Sequence, residues 1–248
     1  GSNNSWAAAT LLIGRSQSLP ELPELPKKEL LKYWFKAGVG AYKGDGYFDL
    51  AEDGDPVSLW ENLGNQENAR QRTLARRPIY RTGGLNGKPY IECDATDQQF
   101  FEDLLGLEQP SGITSVRPWT IIVVTDAIDL NAHPAILGST PTNGGKAGFY
   151  FRPTTGQQIN FMTSQWRFGN VANPQILFVA NRRSSNPESE DTYTNAYSYL
   201  HYRQNGTSGI LGNSSNPNST AISQVQFLRN TGQAEGGYFH GHLYEIMI

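Results

Sequence analysis

A single cysteine, Cys93, stands in the 248 residues. No intrachain disulfide and no cysteine-based metal cluster can form from it. Free cysteine is among the most buried residue types, so Cys93 is expected to pack as a small apolar side chain in a strand. Charge is scarce as well. Asp, Glu, Lys and Arg make up 17% of the chain, below the roughly 25% of ordinary soluble domains. The net charge is −3, and no basic block exceeds the pairs Arg76-Arg77 and Arg182-Arg183. Nucleic acid binding needs a concentrated cationic footprint to displace counterions, so nucleic acid is not an expected partner. No apolar run reaches the roughly 18 residues of a membrane span, so no membrane insertion is expected. The most apolar stretch near the start, Trp6 to Ile13 (WAAATLLI), has no charged flank of the signal-peptide kind. The serine-nucleophile pattern G-x-S-x-G is missing, and so is an E-x-D-x-x-E strand that would set two carboxylates across a glycosidic bond.

What the chain does contain is apolar residues at 38%, of which aromatics are 11% of the chain, and turn-forming residues between short apolar runs. Residues 1–29 read as a linker or strap: LPELPELP, from Leu19 to Pro26, repeats proline every third residue and favours an extended polyproline conformation. Residues 30–248 read as one all-β domain. Leu30 to Phe35 is its first strand. PWTIIVVT, from Pro118 to Thr125, is a continuous β-branched run that predicts a strand buried on both faces. Further strands are predicted at 147–152, 158–163, 175–180, 197–203, 224–229 and 238–248, with Asn205-Gly206 as a hairpin signal. Turn signals recur at Gly83-Gly84, Asn86-Gly87, Asn143-Gly144-Gly145 and Asn216-Pro217. Many short strands with such punctuation predict an antiparallel sandwich or barrel. One short helix is predicted near Gln98 to Leu107.

Several stretches then follow one another in a telling order. They are LLKYWFKAG from Leu30, VSLWENLGN from Val57, RPIY from Arg77, LNGKPYIE from Leu85, YRQNGT from Tyr202 and GYFHGHLYEI from Gly237. Together they resemble the laminin-G-like, concanavalin-A-like jelly rolls of bacterial and phage proteins. The chain departs from that family after the tryptophan, where Glu61-Asn62 stands instead of Asp. It departs again at Cys93-Asp94-Ala95, where the family has FDG. The resemblance implies a concanavalin-A-like jelly-roll sandwich. It also implies a carbohydrate- or receptor-binding module of a phage tail, virion or bacterial surface protein, located outside the cell or on the virion surface. The alternatives are a structural or adhesive domain making protein contacts in an oligomeric parent and, third, a glycan hydrolase or lyase.

Fold does not settle function, so candidate residues are weighed one by one. Glycan binding uses aromatic platforms with polar partners on loops between rigid strands. Trp166 beside Arg167 in SQWRFGN fits that pattern, as do Arg152, Asp191, Tyr193 and Tyr197. The competing role of such aromatics is core packing. For metal, Asp45, Asp49, Asp53 and Asp55 put several carboxylates into one glycine-rich loop, and hard oxygen ligands suit calcium. Their spacing matches no EF-hand. His240 and His242 share one face of the last strand, as a metal-binding or a surface pair. Glu188, Glu190 and Asp191 lie in a polar loop containing Pro187. No set of catalytic residues is recognisable, so a binding module rather than an enzyme is expected.

Overall fold

The computed structural model describes residues 31–44, 48–105, 119–129, 135–138, 149–150, 158–161, 164–167, 175–184, 197–204, 207–213, 224–229 and 237–248; from 149 to 225 it describes backbone pairing alone. The expected strap, residues 1–29, lies outside the described residues.

The described strands are β1 (Trp34–Lys36), β2 (Ala41–Tyr42), β3 (Leu59–Trp60), β4 (Ala69–Arg70), β5 (Ile79–Arg81), β6 (Tyr90–Cys93), β7 (Phe101–Leu105), β8 (Trp119–Asp126) and β9 (Ala135–Gly138). They continue with β10 (Phe149–Tyr150), β11 (Gln158–Phe161), β12 (Ser164–Arg167), β13 (Gln175–Ser184), β14 (Tyr197–Gln204), β15 (Thr207–Asn213), β16 (Gln224–Phe227) and β17 (Gly241–Met247). All described pairings of named strands are antiparallel. The large sheet runs β15-β14-β13-β8-β17-β6-β5, with β1 paired to the second half of β17. A four-stranded sheet runs β10-β9-β16-β7, and β2-β3-β4 and β11-β12 form smaller sheets. The protein is an all-β antiparallel sandwich. Ile91, Ile121, Val123, Leu243 and Ile246 of the large sheet share one core with Phe101, Ile136, Leu137 and Phe227 of the four-stranded sheet.

Trp60, fully buried, sits at the centre of that core. Its ring lies 5.3 Å from Phe35, 5.8 Å from Phe101 and 6.3 Å from Phe227, centroid to centroid. It therefore joins three sheets, and its indole N–H donates to the Lys36 carbonyl at 3.2 Å, which satisfies its one polar atom. Asn62, at the departure from the family pattern, uses both ends of its amide. Its oxygen accepts from the backbone N–H of Trp34 (2.7 Å) and Gly64 (2.9 Å), and its nitrogen donates to the carbonyls of Lys32 and Gln66, both at 2.9 Å. An aspartate there loses both donated bonds. The closing stretch GYFHGHLYEI is mostly scaffold. Phe239 is core, and Glu245 accepts the Trp34 indole N–H at 2.6 Å, binding β1 to β17. Asn86 and Gly87 take φ of 54° and 70°, the left-handed turn their sequence predicts. Gln204 of β14 pairs with Thr207 of β15, and the hairpin signal Asn205-Gly206 lies outside the described residues.

Two expectations are corrected. The helix predicted near Gln98 to Leu107 is absent, and β7 occupies Phe101–Leu105. Gln98 has φ of 52°, which breaks any helical path, and Phe101 is buried opposite Phe227 of β16. Pairing and burial override the local helical signal. Strand β8 is not buried on both faces. Ile121, Val123 and Thr125 are buried, whereas Thr120, Ile122, Val124 and Asp126 alternate with them on a wetter face. An antiparallel sheet covered on one side leaves its other face to water.

Candidate functional site

Strand register brings polar groups together on the uncovered face of the large sheet. Ile79 of β5 pairs with Glu92 of β6, Glu92 with His242 of β17, and His242 with Asp126 of β8. Neighbours on either side of this row, Ile91, Cys93, Leu243 and Thr125, point into the core and are buried. Alternation along each strand then turns Glu92, His242 and Asp126 outward as one rank across three strands. Arg81 and Tyr90 pair in the adjacent rank.

The contacts run diagonally between the ranks. The Arg81 Nε–H donates to Glu92 Oε2 at 2.6 Å, with both side chains a little over one-third exposed. That bond raises the guanidinium pKa. His242 Nδ1 lies 2.6 Å from Asp126 Oδ1, and the Tyr244 hydroxyl donates to Asp126 Oδ2 at 2.9 Å. The same hydroxyl accepts from the Leu85 N–H at 2.8 Å. Tyr90 packs against the His242 ring with centroids 4.1 Å apart. Asp126 is an acceptor toward Tyr244, and as a carboxylate it is an acceptor toward His242 as well. The Nδ1 position of His242 therefore carries a proton, and in the neutral ring Nε2 is left as an acceptor.

Burial, with Asp126 as a neighbour, pushes the Tyr244 hydroxyl up to about 12 from an ordinary 10.0, partly offset by the Leu85 N–H. The folded state thus holds this proton more tightly than the unfolded chain. The resulting stability is present below about pH 10 and is lost as pH rises toward 12. Wild type is expected to lose stability more steeply than Tyr244→Phe between those pH values. Urea midpoints measured across that range check this, and parallel slopes for the two proteins would sink it.

At the end of β6 and the start of β17 the outer face opens into a cleft of about 430 Å³. That lies within the roughly 300–1,000 Å³ of small-ligand sites. Ile79, Arg81, Glu92 and Cys93 form one wall, and Ala127, His240, Gly241 and His242 another. Asp94, Asp97 and Gln99 close the mouth. Gln99 braces its loop by accepting the Asp94 N–H at 2.9 Å, and Asp94 accepts the Thr96 N–H at 2.7 Å. Gly241 is required here: its φ is 150°, and a Cβ would stand 3.1 Å from the Asp126 carbonyl. Cys93 is buried as expected, and burial pushes its thiol well above the usual range. It supplies no thiolate to the cleft.

The residues singled out from sequence lie elsewhere. Trp166 and Arg167 are in β12, paired with Ile159 and Gln158 of β11, while Tyr197 opens β14 of the large sheet. They belong to different sheets. Arg152, Asp191 and Tyr193 lie outside the described residues, as does Asp45. Asp53 Oδ1 accepts from the Thr82 N–H at 2.7 Å and hydroxyl at 3.1 Å, which lowers its pKa. Asp55 Oδ2 accepts from the Glu52 N–H at 2.9 Å and meets Lys43 Nζ at 3.2 Å, and both lower its pKa. Asp49 contributes its backbone carbonyl to the Lys43 N–H at 3.0 Å. Lys43 thus supplies the positive charge beside Asp55. Among the described residues no group of three or more His, Cys, Asp or Glu is arranged to hold a metal.

Sequence reasoning singled out His240 and His242 but found no partners for them. Asp126, Arg81 and Glu92 were missed, because only cross-strand register, between residues 116 and 11 positions apart, joins them.

No protein-family model and no curated protein sequence matches the chain. Among solved structures, domain 4 of AbnA, a GH43 extracellular arabinanase from Geobacillus stearothermophilus, in complex with arabinotriose, is similar at 12% identity and a TM-score of 0.44. The match covers 88% of this chain and 90% of that one. A likeness of that size carries no argument about this chain's ligand. The class that can be stated is an all-β antiparallel sandwich with a polar cleft on the uncovered face of its large sheet.

Proposed function

We propose that the protein is a non-catalytic carbohydrate-binding module. The reading rests on one observation: an open cleft of ligand size, lined mainly by hydrogen-bonding side chains, of which Arg81, Glu92 and His242 are held on strands of the large sheet. Saccharides offer many hydroxyls to such groups, and side chains braced on strands meet them without ordering cost. The family resemblance in the sequence favours the concanavalin-A-like version of the sandwich. It also favours an extracellular or virion setting, in a bacterial surface or phage tail protein.

A binding screen against surface polysaccharides, read by thermal shift with and without calcium and followed for released product, tests the reading. Saturable binding without product supports it. Product release would replace it with glycan cleavage, the reading that the His242–Asp126 pair favours, since a histidine oriented by a carboxylate is poised as a base. No binding together with a stable oligomer on light scattering would favour an assembly role.

The screen also tests two narrower proposals. Trp166→Ala is expected to weaken glycan binding while moving the melting temperature by no more than a few degrees. A collapse in stability would make Trp166 a core residue. EDTA is expected to lower the melting temperature only if the loop of Asp45, Asp49, Asp53 and Asp55 holds calcium. An unchanged melt would leave Lys43 and Thr82 as the partners of those carboxylates.

A further inference from the structure

The cleft has a consistent hydrogen-bonding polarity. His242 Nδ1 is spent on Asp126, so in the neutral ring the nitrogen left for a ligand, Nε2, accepts. Asp94 and Asp97 add carboxylates at the mouth, and Asp97 has no hydrogen-bond or ion-pair partner among the described residues. Glu92 adds a third carboxylate on the wall. Against these three stand one permanent cation, Arg81, whose charge is balanced by Glu92 at 2.6 Å, and His240, whose Nδ1 lies 3.9 Å from Asp94 Oδ1. The remaining N–H groups of Arg81 serve a hydroxyl, but no net positive charge is left over. A uronate, sialate, sulfate or phosphate group would have to shed water beside Asp94 and Asp97 without gaining a counter-charge. Desolvating a charge without a partner is costly, and like charges at close range add to that cost. Hydroxyl and ammonium groups meet the opposite situation, because each brings donors to a cleft of acceptors.

From this polarity we infer that the cleft selects non-anionic saccharides, neutral or amino-bearing, and rejects acidic ones. The inference rests on the glycan reading of the cleft and specifies its ligand class.

The test is a glycan array at pH 8 carrying neutral, amino-bearing, uronate-, sialate- and sulfate-bearing glycans. It is probed with wild type, with His242→Ala as the cleft control, and with the double variant Asp94→Asn/Asp97→Asn. Asparagine at position 94 keeps the oxygen that accepts the Thr96 N–H. Wild-type signals that vanish in His242→Ala are expected on neutral and amino-bearing glycans alone. The double variant is expected to lose about two- to fivefold in affinity for amino-bearing glycans per carboxylate removed, the range of exposed ion pairs. Its affinity for neutral glycans should fall less than that for amino-bearing ones, because an asparagine oxygen still accepts from a hydroxyl. Acidic glycans that bind wild type and are lost in His242→Ala would overturn the selectivity while leaving the glycan reading intact. An array with no signal dependent on His242 would overturn both. If His242→Ala fails to fold, the double variant decides: unchanged binding of amino-bearing glycans, or acidic glycans already bound before the carboxylates are removed, overturns the inference.

Discussion

Replacing Trp60 by alanine is expected to lower the unfolding free energy by about 3–5 kcal/mol, the range for deleting a large buried aromatic. The indole, on β3 of the small sheet, is fully buried and touches rings from the two other sheets: Phe35 in β1 of the large sheet, and Phe101 in β7 and Phe227 in β16 of the four-stranded sheet. Its removal leaves a cavity that no single sheet can close by shifting, because each is held by its own ladder. It also leaves the Lys36 carbonyl without its donor. Leu74→Ala is the control. Leu74 is 64% exposed, and surface truncations usually stay within about 0.5 kcal/mol. Urea titrations should show a lower midpoint for Trp60→Ala at an unchanged slope, and no shift for Leu74→Ala. A loss for Trp60→Ala of the same size as the control's would mean that the three sheets do not share this core.

His242→Ala is expected to cost at least about tenfold in glycan affinity, or roughly 1.4 kcal/mol, while the melting temperature falls by about 2–4 °C. The two effects differ because of where the residue sits. Its ring lies on the outer face, packed on Tyr90, and its loss opens no cavity in the core. Water can reach the Asp126 oxygen left behind, since that side chain is 21% exposed. The binding loss is larger because the alanine removes both an acceptor and one wall of the cleft. Asp126→Asn separates positioning from contact. It is nearly isosteric, and its amide can turn NH₂ toward Nδ1. That moves the ring proton to Nε2 and changes the cleft from acceptor to donor at that point. Weakened binding with wild-type stability is the expected result, read by calorimetry and by the histidine ring ¹⁵N shifts. Equal binding by wild type and both variants would remove His242 from the site.

Local chemistry made much of the fold readable in the sequence. Asn86-Gly87 was legible as a turn because positive φ is cheap for those residues. The β-branched run at β8 was legible as a strand because its side chains fit a pleated surface. Where the local signal was weak, burial decided. The stretch from Gln98 reads as a short helix until Phe101 is seen opposite Phe227, more than a hundred positions away. The polar cleft was the least legible feature. Glu92, Asp126 and His242 each look like an ordinary outward residue on its own strand. No spacing relates them, since the ladder that aligns them joins β6, β8 and β17 across the whole chain. By itself, then, the sequence determined the class of fold, the Asn86-Gly87 turn and the burial of Cys93, because these follow from residue-level preferences. The tertiary structure alone decided which polar groups meet, because in an antiparallel sheet that depends on register, and register is a property of pairs of strands.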